Sequence, residues 1–294
     1  MPDEDFHTLV PASSALAALN RRQFVGRGVG TGFAAAVLPV SAQTIKTSSA
    51  GLLTGEVTVM VNGFQMPAYR AAPAGRTGLP VVLVVSEVFG VHEHIADVTN
   101  RLARAGYFAV APELFVRQGD AGSYGELAKL LAEVINQVPD AQVMADLDAT
   151  LAWARAEGAD TTKTGITGFC WGGRITWLYG AHNPAVKAGV AWYGRLTGTR
   201  NALMPANPLD LAPRLAAPVL GLYGGQDPGI PLATVEQMKA ALATGSAAAK
   251  QSEFVIYPDA PHAFHADYRP SYRKPAAEDG WRRLLAWFKA HGVA

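Results

Sequence analysis

The chain has 294 residues, of which 49% are apolar, and a formal net charge of +1. These values allow one large domain with a substantial core, and the near-neutral charge gives no sign of a nucleic-acid partner. The single cysteine, Cys170, excludes an internal disulfide and a cysteine-rich zinc site. The histidines show no metal-binding spacing, and His92-Glu93-His94 is interpreted as solvated surface, so we expect neither a metal nor a cofactor.

The first 42 residues have the features of an export signal. Arg21 and Arg22 form a twin-arginine pattern, followed by Phe24, an apolar run over 28–40 and a small-residue end at Ala42. This order predicts a twin-arginine (Tat) signal peptide that the export machinery reads, its removal after about Ala42, and a periplasmic mature protein. The run is too short and too weakly apolar for a stable membrane span. The alternative is an alanine-rich tail in which the arginine pair occurs by chance.

After a polar linker at 43–54, short apolar strands alternate with helices. Strands are predicted at 56–61, 64–70, 80–86, 107–111, 165–167, 186–193, 218–223 and 254–257, with an Asn62-Gly63 hairpin turn between the first two. Helices are predicted at 94–106, 124–138, 140–157, 174–180, 232–243 and 276–291. The alternation predicts a single α/β domain over 55–294, with a mostly parallel sheet and helices on both faces.

The stretch 165–173 carries the strongest chemical signal. Its sequence GFCWGG at 168–173 has the glycine-x-nucleophile-x-glycine pattern of a strand-to-helix elbow, with Cys170 in the place where serine is usual. Such a turn is strained, and its glycines let the strand and the helix approach closely. The pattern predicts a nucleophilic thiol. The alternative is a small buried cysteine that packs like an apolar residue.

Four polar side chains each follow a predicted strand: Glu87, Cys170, Asp227 and His262. Ligands bind at the carboxyl ends of the strands in such sheets, and the order nucleophile, acid, histidine is that of the α/β-hydrolase triad. In this interpretation His262 takes the thiol proton and Asp227 orients the imidazole. The backbone amides of Val88 and Trp171 are the predicted oxyanion hole.

Two members of this set have rivals. Asp227 could be a plain turn residue, and Asp210 and Asp259 compete with it, although neither ends an apolar strand in a glycine turn. His262 competes with His265, but it comes sooner after a strand-like run. The interpretation therefore favours Asp227 and His262.

Glu87 lies in a nearly apolar stretch, where an unpaired carboxylate is costly, so we interpret it as functional rather than as a strand terminator. Trp171, Trp192, Tyr193 and Phe264 are candidates for the walls of a substrate pocket. Ordinary core packing is the more common explanation for each of these aromatic residues.

From about residue 56 to its end, the chain resembles the dienelactone hydrolase family of α/β-hydrolases. The resemblance rests on SEVFGV at 86–91, RLARAGYFAVAPELF at 101–115, GFCWGG at 168–173, GGQD at 224–227 and PHAF at 261–264. It implies hydrolysis of an enol-lactone, such as dienelactone to maleylacetate, through an acyl-cysteine intermediate and a Cys170, His262 and Asp227 triad. It also implies that Glu87 contacts the thiol in the resting enzyme and yields it to the histidine when substrate binds.

One position departs from the family pattern. The best-known branch of the family binds the substrate carboxylate with arginines, one of them four residues after the catalytic histidine, and this position is Ala266 here. Arg269 or Arg273 from the same loop is the expected replacement. We therefore expect a hydrolase of lactones or small carboxylic esters, whose oligomeric state the sequence does not indicate. The alternatives are a general carboxylesterase or thioesterase, a peptidase, and a non-catalytic binding protein that retains the fold.

Overall fold

The computed structural model describes residues 44–294, so the predicted signal peptide lies outside the described residues. The strands in this range are β1 (Leu52–Val61), β2 (Phe64–Pro73), β3 (Pro80–Val85), β4 (Phe108–Pro112), β5 (Asp160–Phe169), β6 (Val186–Trp192), β7 (Val219–Gly224) and β8 (Glu253–Tyr257). They form one sheet in the order β1-β2-β4-β3-β5-β6-β7-β8. β2 pairs antiparallel with β1 and β4, and all other pairs are parallel.

Helices accompany the sheet on both faces. They are α1 (Glu93–Arg104), α2 (Leu127–Glu133), α3 (Asp140–Ala156), α4 (Trp171–His182), α5 (Pro208–Leu211), α6 (Leu232–Ala243), α7 (Ala247–Gln251) and α8 (Lys274–Ala290). This architecture confirms the predicted α/β fold with a mostly parallel sheet. Within residues 44–294, none of the helices has the length and apolar character needed to cross a membrane.

The core lies in two layers, one on each side of the sheet, and β3 shows why. Val82 and Val84 belong to one apolar cluster, while Val81, Leu83 and Val85 belong to the other. Successive side chains of a strand point to opposite faces, so a central strand covered by helices on both sides is apolar throughout. The continuous PVVLVV run therefore follows from burial on both faces.

The start of the described chain is attached to the domain. The backbone N–H of Ile45 donates to Asp267 Oδ2 (3.2 Å), and that of Thr47 donates to Asp97 Oδ1 (2.5 Å). β1 then begins at Leu52, inside the predicted linker. The linker segment therefore packs against the same loops and helix that surround the candidate site described below.

Two parts of the helix prediction differ from the structure. The helix predicted at 124–138 is limited to α2, because Val134 leaves the helical backbone region (φ −121°, ψ −67°) and a short 3-10 turn follows. Val138 is extended (φ −85°, ψ 115°), as expected for a residue that precedes proline. The short helices α5 and α7 are absent from the prediction because elements of this length carry no periodic signal.

Candidate active site

The four predicted polar groups lie beyond the carboxyl ends of four parallel strands. Glu87 follows β3, Cys170 follows β5 directly, Asp227 follows β7 and His262 follows β8. β5 lies beside β3, and β7 lies beside β8, with β6 between these two pairs. The loops that carry the four groups therefore converge at one edge of the sheet, where ligands bind in such folds.

Cys170 occupies a strained elbow between β5 and α4. Its backbone has φ 54° and ψ −111°, a left-handed φ that a residue with a side chain rarely adopts. The Cys170 N–H donates to the carbonyl of Trp192 (3.0 Å), which anchors the turn to β6. Strain of this kind persists only where the surroundings impose it, and it is common at functional sites. The half-buried thiol is thus presented at the N-terminus of α4.

The glycines around Cys170 allow the backbone segments to touch. A Cβ on Gly168 would lie 2.2 Å from the carbonyl oxygen of Gly172, and a Cβ on Gly172 would lie 2.3 Å from that of Val85. Both distances are far below a van der Waals contact, so any side chain would push α4 away from β5 and β3. The glycine frame of the sequence motif is therefore a steric requirement of the elbow.

Asp227 and His262 form a short hydrogen bond. The distance from His262 Nδ1 to Asp227 Oδ2 is 2.6 Å, and Asp227 Oδ1 accepts from the backbone N–H of Gly229 (2.8 Å). The rival Asp210 instead accepts from a backbone amide at the start of α5, and Asp259 is exposed. The structure therefore brings Asp227, and neither rival, to the histidine.

Cys170 also acts electrostatically on His262. Burial disfavours the charged imidazole, but Cys170 and Asp227 outweigh burial and raise the pKa of His262 to about 10. Its rival His265 is fully buried against Trp192 (ring centroids 4.5 Å apart), and burial lowers its pKa well below the usual value. The raised pKa of His262 favours its protonated form at neutral pH, whereas His265 is a neutral core residue.

The two predicted oxyanion donors belong to segments in direct contact. Trp171 is the first residue of α4, where backbone N–H groups have no partner inside the helix. Val88 lies in the turn after β3, and the close approach of Gly172 to the end of β3 draws these two segments together. Within residues 44–294 neither amide donates a hydrogen bond to the protein. Both amides are therefore available to an acceptor from outside the protein.

The expected contact between Glu87 and the thiol is not present. Glu87 Oε2 accepts a hydrogen bond from Tyr268 Oη (2.7 Å) and lies 3.3 Å from His92 Nε2. Its Oε1 is buried and has no hydrogen-bond partner among the described residues. Burial alone would raise the pKa of Glu87, but His92 and the charges of His94 and Arg269 lower it to about 2. Glu87 is therefore an ionised carboxylate held by other partners than Cys170.

The interpretation of His92-Glu93-His94 as solvated surface is wrong for both histidines. His92 and His94 are 4% and 2% exposed. His92 is the N-cap of α1, where its Nδ1 accepts from the His94 N–H (3.4 Å), and this role turns its Nε2 towards Glu87. Only Glu93 reaches solvent, where it pairs with Lys46 (3.5 Å).

The sequence interpretation also does not include a polar network behind the site. His94 Nδ1 lies 3.0 Å from Asp267 Oδ1, and Arg101 donates to Asp267 Oδ2 (2.7 Å). His94 and Arg101 outweigh burial and lower the pKa of Asp267 to about 2. The sequence carries a signal only for the neighbouring Glu87, because a carboxylate in an apolar stretch needs buried partners such as Tyr268.

The two candidate arginines have different surroundings. Arg269 is half-buried, lies 6.0 Å from the ring centroid of Phe89 and contributes to the low pKa of Glu87. Arg273 is exposed and donates to two carbonyl oxygens of its own loop (3.1 and 3.0 Å). Ala266 is fully buried, so this position offers no group to a ligand. Of the two arginines, Arg269 is the one near the site.

The aromatic candidates for the pocket walls also fall into two groups, those in the core and those that border the site. The ring of Tyr193 lies 5.1 Å from that of His262, its φ is 39°, and its buried hydroxyl has no partner within residues 44–294. Phe264 and Trp192 are fully buried and pack on each other (6.0 Å). Core packing therefore explains Phe264 and Trp192, whereas Tyr193 borders the site. Trp171 is half-buried, and its ring packs on that of Phe115 (4.7 Å).

No group of three or more His, Cys, Asp or Glu side chains in the described range is arranged to hold a metal ion.

Comparison with known proteins places the chain in a family. The model of the dienelactone hydrolase family matches residues 66–292. A protein of Methylorubrum extorquens named "Putative carboxymethylenebutenolidase" is 58% identical and covers 99% of both chains. A "Probable 2-oxo-3-(5-oxofuran-2-ylidene)propanoate lactonase" of Bradyrhizobium is 31% identical over 80% of this chain and 93% of its own.

A solved structure agrees with these relatives. The crystal structure of a "Putative Dienelactone Hydrolase" from Klebsiella pneumoniae is 54% identical and has a TM-score of 0.78, covering 81% of this chain and 98% of that chain. These matches bear out the family resemblance drawn from the sequence motifs. The chain belongs to the dienelactone hydrolase family, a family of α/β-hydrolases that act on lactone or ester bonds.

Proposed function

We propose that the protein hydrolyses lactones or small carboxylic esters with a Cys170, His262 and Asp227 triad and an acyl-cysteine intermediate. The observation that carries the proposal is the arrangement at the elbow: a strained cysteine, an imidazole on which that cysteine acts electrostatically, and a carboxylate 2.6 Å from the imidazole. A nucleophile, a base and an orienting acid in this relation are the requirements of covalent acyl transfer.

The first half-reaction forms a bond from sulfur to the acyl carbon. The Cys170 thiolate attacks the carbonyl carbon, whose oxygen becomes an oxyanion that accepts hydrogen bonds from the amides of Val88 and Trp171. The oxyanion collapses, the bond from carbon to the ring or ester oxygen breaks, and the leaving oxygen takes a proton from the His262 imidazolium. For a lactone, this oxygen stays attached to the acyl chain.

The second half-reaction releases the acid. Neutral His262 takes a proton from water, the resulting hydroxide attacks the acyl-cysteine carbonyl, and the bond from carbon to sulfur breaks. The thiolate of Cys170 and the imidazolium of His262 are then restored. Asp227 accepts from His262 Nδ1 throughout, so the imidazole keeps its other nitrogen towards the sulfur.

The substrate we propose is a lactone or ester that bears a carboxylate. Arg269 is the half-buried cation beside the site and lies near the ring of Phe89. The Bradyrhizobium relative is named as the lactonase of a propanoate, which is an anionic lactone. Arg269 would therefore orient the substrate through its carboxylate.

The test is a burst experiment with an aryl acetate and the purified protein, beside Cys170→Ala. We expect an early burst of phenol stoichiometric with the wild-type enzyme and no burst with Cys170→Ala. A panel of neutral and carboxylate-bearing lactones then identifies the substrate class. Absence of any Cys170-dependent turnover on esters and lactones would contradict the proposal and favour a binding protein with the hydrolase fold.

We further propose that residues 1–42 direct twin-arginine export to the periplasm. The support is the ordered arrangement of the arginine pair, the apolar run and the small-residue end in the sequence. Cell fractionation tests this, with Arg21→Lys and Arg22→Lys combined as the variant. We expect the wild type in the periplasm with a shortened N-terminus and the variant retained inside the cell. Equal distribution of the two proteins would refute export by this route.

A further inference from the structure

Residues 45–48, which we call the strap, run along α1 from its last turn towards its first. Arg104 in the last turn donates through Nε to the carbonyl oxygen of Ser48 (3.0 Å). Thr47 donates its N–H to Asp97 Oδ1 (2.5 Å) and its hydroxyl to Asp97 Oδ2 (3.2 Å). The strap therefore follows the helix towards the end that comes after β3, where the candidate site lies.

The strap then reaches the loop after β8. The Ile45 N–H donates to Asp267 Oδ2 (3.2 Å), and the same loop carries His262 and Arg269. In the described chain this loop contains no helix or strand between 258 and 273, so its contacts with other elements fix its course. The contact at Asp267 thus acts on a segment that carries two of the side chains proposed to function.

The two carboxylates that accept from the strap are buried and are joined by one arginine. Arg101 donates through Nε to Asp97 Oδ2 (2.5 Å) and through Nη2 to Asp267 Oδ2 (2.7 Å). His94 lies at the other oxygen of Asp267 (3.0 Å). A buried carboxylate is costly unless donors surround it, and hydrogen bonds to charged groups are stronger than neutral ones. The strap donors therefore contribute to holding the loop and the helix together.

Backbone hydrogen bonds, rather than apolar burial, attach the strap. The Ile45 side chain is 40% exposed, and the exposed Lys46 pairs with Glu93 (3.5 Å). Groups two residues apart in an extended segment point to the same side, which explains why the N–H groups of Ile45 and Thr47 both donate to carboxylates. Within residues 44–294, the intervening Lys46 N–H donates to no protein group.

We propose that Ile45 and Thr47 are positioning residues that clamp the loop after β8 to α1, through Asp267 and Asp97, and thereby orient Arg269 for the substrate. The part of this inference that concerns Arg269 rests on the proposed function, whereas the clamping of the loop does not. The strap begins after the proposed cleavage at about residue 42, so the exported protein would retain it.

Proline substitutions test the proposal, because proline has no N–H to donate. Ile45→Pro and Thr47→Pro are combined in the purified protein, and hydrogen–deuterium exchange is followed without substrate. We expect residues 263–273 to exchange about tenfold faster than in the wild type, the effect of losing one hydrogen bond to a charged group on local opening. Exchange in the central strands β3 and β5 should not change. Unchanged exchange in residues 263–273 would overturn the proposal.

Lys46→Pro is the matched control. It places the same ring between the two donors but removes no hydrogen bond to a carboxylate. It also removes the exposed ion pair with Glu93, which contributes little. We expect wild-type exchange in residues 263–273. An increase equal to that of the double variant would contradict a role for the two N–H groups.

Kinetics separates positioning from a general loss of stability. With a carboxylate-bearing lactone, we expect the double proline variant to raise KM about threefold or more and to keep kcat within about twofold of wild type. KM for a neutral ester should stay unchanged, because Arg269 has no carboxylate to bind there. Equal losses of kcat on both substrates would contradict the orientation of Arg269 by the strap.

A single substitution covers the case in which the double variant does not fold. Ile45→Pro removes the contact with Asp267 and keeps both contacts of Thr47 with Asp97. We expect a smaller increase of exchange in residues 263–273, with α1 unchanged. Wild-type exchange in this loop would refute the clamp.

Failure of this inference can be distinguished from failure of the proposed function. Hydrogen exchange needs no turnover, so it reports on the loop even if no ester or lactone is hydrolysed. Faster exchange in the double variant without Cys170-dependent turnover in the wild type would remove the hydrolase proposal and leave the clamp intact. Normal turnover in the wild type, with wild-type exchange and KM in the double variant, would do the reverse.

Discussion

Two histidine–aspartate pairs in the described part of the chain, both joined through the histidine Nδ1, have similar geometry and different surroundings. His262 Nδ1 lies 2.6 Å from Asp227, and His94 Nδ1 lies 3.0 Å from Asp267. The His262 side chain is 34% exposed, whereas that of His94 is 1% exposed. The first pair lies beside Cys170, and the second lies among aromatic rings and Arg101. The two pairs therefore share chemistry but not access.

The contrast shows what a histidine–carboxylate pair needs in order to react. At His262, the partly exposed imidazole feels the charge of Cys170, the proposed nucleophile. At His94, Nε2 is buried and has no partner within residues 44–294, while Arg101 occupies the second oxygen of Asp267. A reactive partner and a path for substrate give the first pair its proposed role in catalysis. The second pair stabilises the loop and helix that hold Glu87.

The largest expected effect comes from replacing the two histidines separately. His262→Gln removes the proposed base, and kcat/KM for an ester substrate should fall by about a thousandfold or more. His94→Gln should keep kcat/KM within about tenfold of wild type, at a temperature where it is folded, because His94 contacts no reacting atom. Initial rates of ester hydrolysis by both variants give the two kcat/KM values. Equal losses of kcat/KM from the two substitutions would contradict the different roles given to the two pairs.

The second prediction concerns stability, for which the buried pair of His94 and Asp267 should matter more than the pair of His262 and Asp227. Asp267→Asn leaves Arg101 and His94 without their buried carboxylate, so the free energy of unfolding should fall by about 3 to 5 kcal/mol. Asp227→Asn, beside the partly exposed His262, should mainly lower kcat. Its effect on the free energy of unfolding should be smaller than that of Asp267→Asn. Urea unfolding of both variants gives the measurement. A larger loss of stability from Asp227→Asn would contradict the structural role assigned to the Asp267 pair.

Much of the first pair could be predicted from the sequence. Glycines at 168, 172 and 173 mark the elbow because backbone contacts there exclude a Cβ. Asp227 and His262 could be selected over their rivals because each follows an apolar strand, and the parallel strands all end at one edge. The fold was predictable for the same reason, since apolar runs such as β3 report burial on both faces.

The second pair could not be predicted, because its members have no local signature. His94 and Asp267 are 173 positions apart in the chain. Their contact depends on how the loop after β8 packs on α1, which no spacing or periodicity encodes. The partners of Glu87 were hidden in the same way, since Tyr268 is 181 positions from it. A resemblance placed Glu87 at the thiol, and only the three-dimensional packing shows what holds it instead.

The third prediction concerns acid. The pKa of Glu87 falls from 4.5 to about 2 and that of Asp267 from 3.8 to about 2 on folding. Their stabilisation is therefore fully present above about pH 5 and is lost as pH falls towards 2, by about 2 to 3 kcal/mol for each group. Burial also lowers the pKa of His265. Protonation of His265 in acid therefore adds to the loss of stability as the pH falls.

Urea titrations between pH 7 and pH 3 test this third prediction. We expect the free energy of unfolding to decrease steadily below pH 5 in the wild type, and to decrease less steeply in Glu87→Gln, which has one titrating group fewer. A wild-type stability that does not change over this range would show that these carboxylates are not ionised and paired in the folded protein.

The smallest effect tests whether access is the property that separates the two pairs. Arg269 is half-buried on the side of Glu87 and Phe89, whereas Arg273 is exposed and donates to its own loop. If substrate enters beside the His262 pair and carries a carboxylate, Arg269→Gln should raise KM for that lactone by about tenfold, the loss of one charged hydrogen bond. The same substitution should leave KM for a neutral ester nearly unchanged, and Arg273→Gln should change neither value. An equal rise in KM for both substrates would show that Arg269 shapes the site without recognising the carboxylate, and a rise confined to Arg273→Gln would transfer that recognition to the exposed arginine.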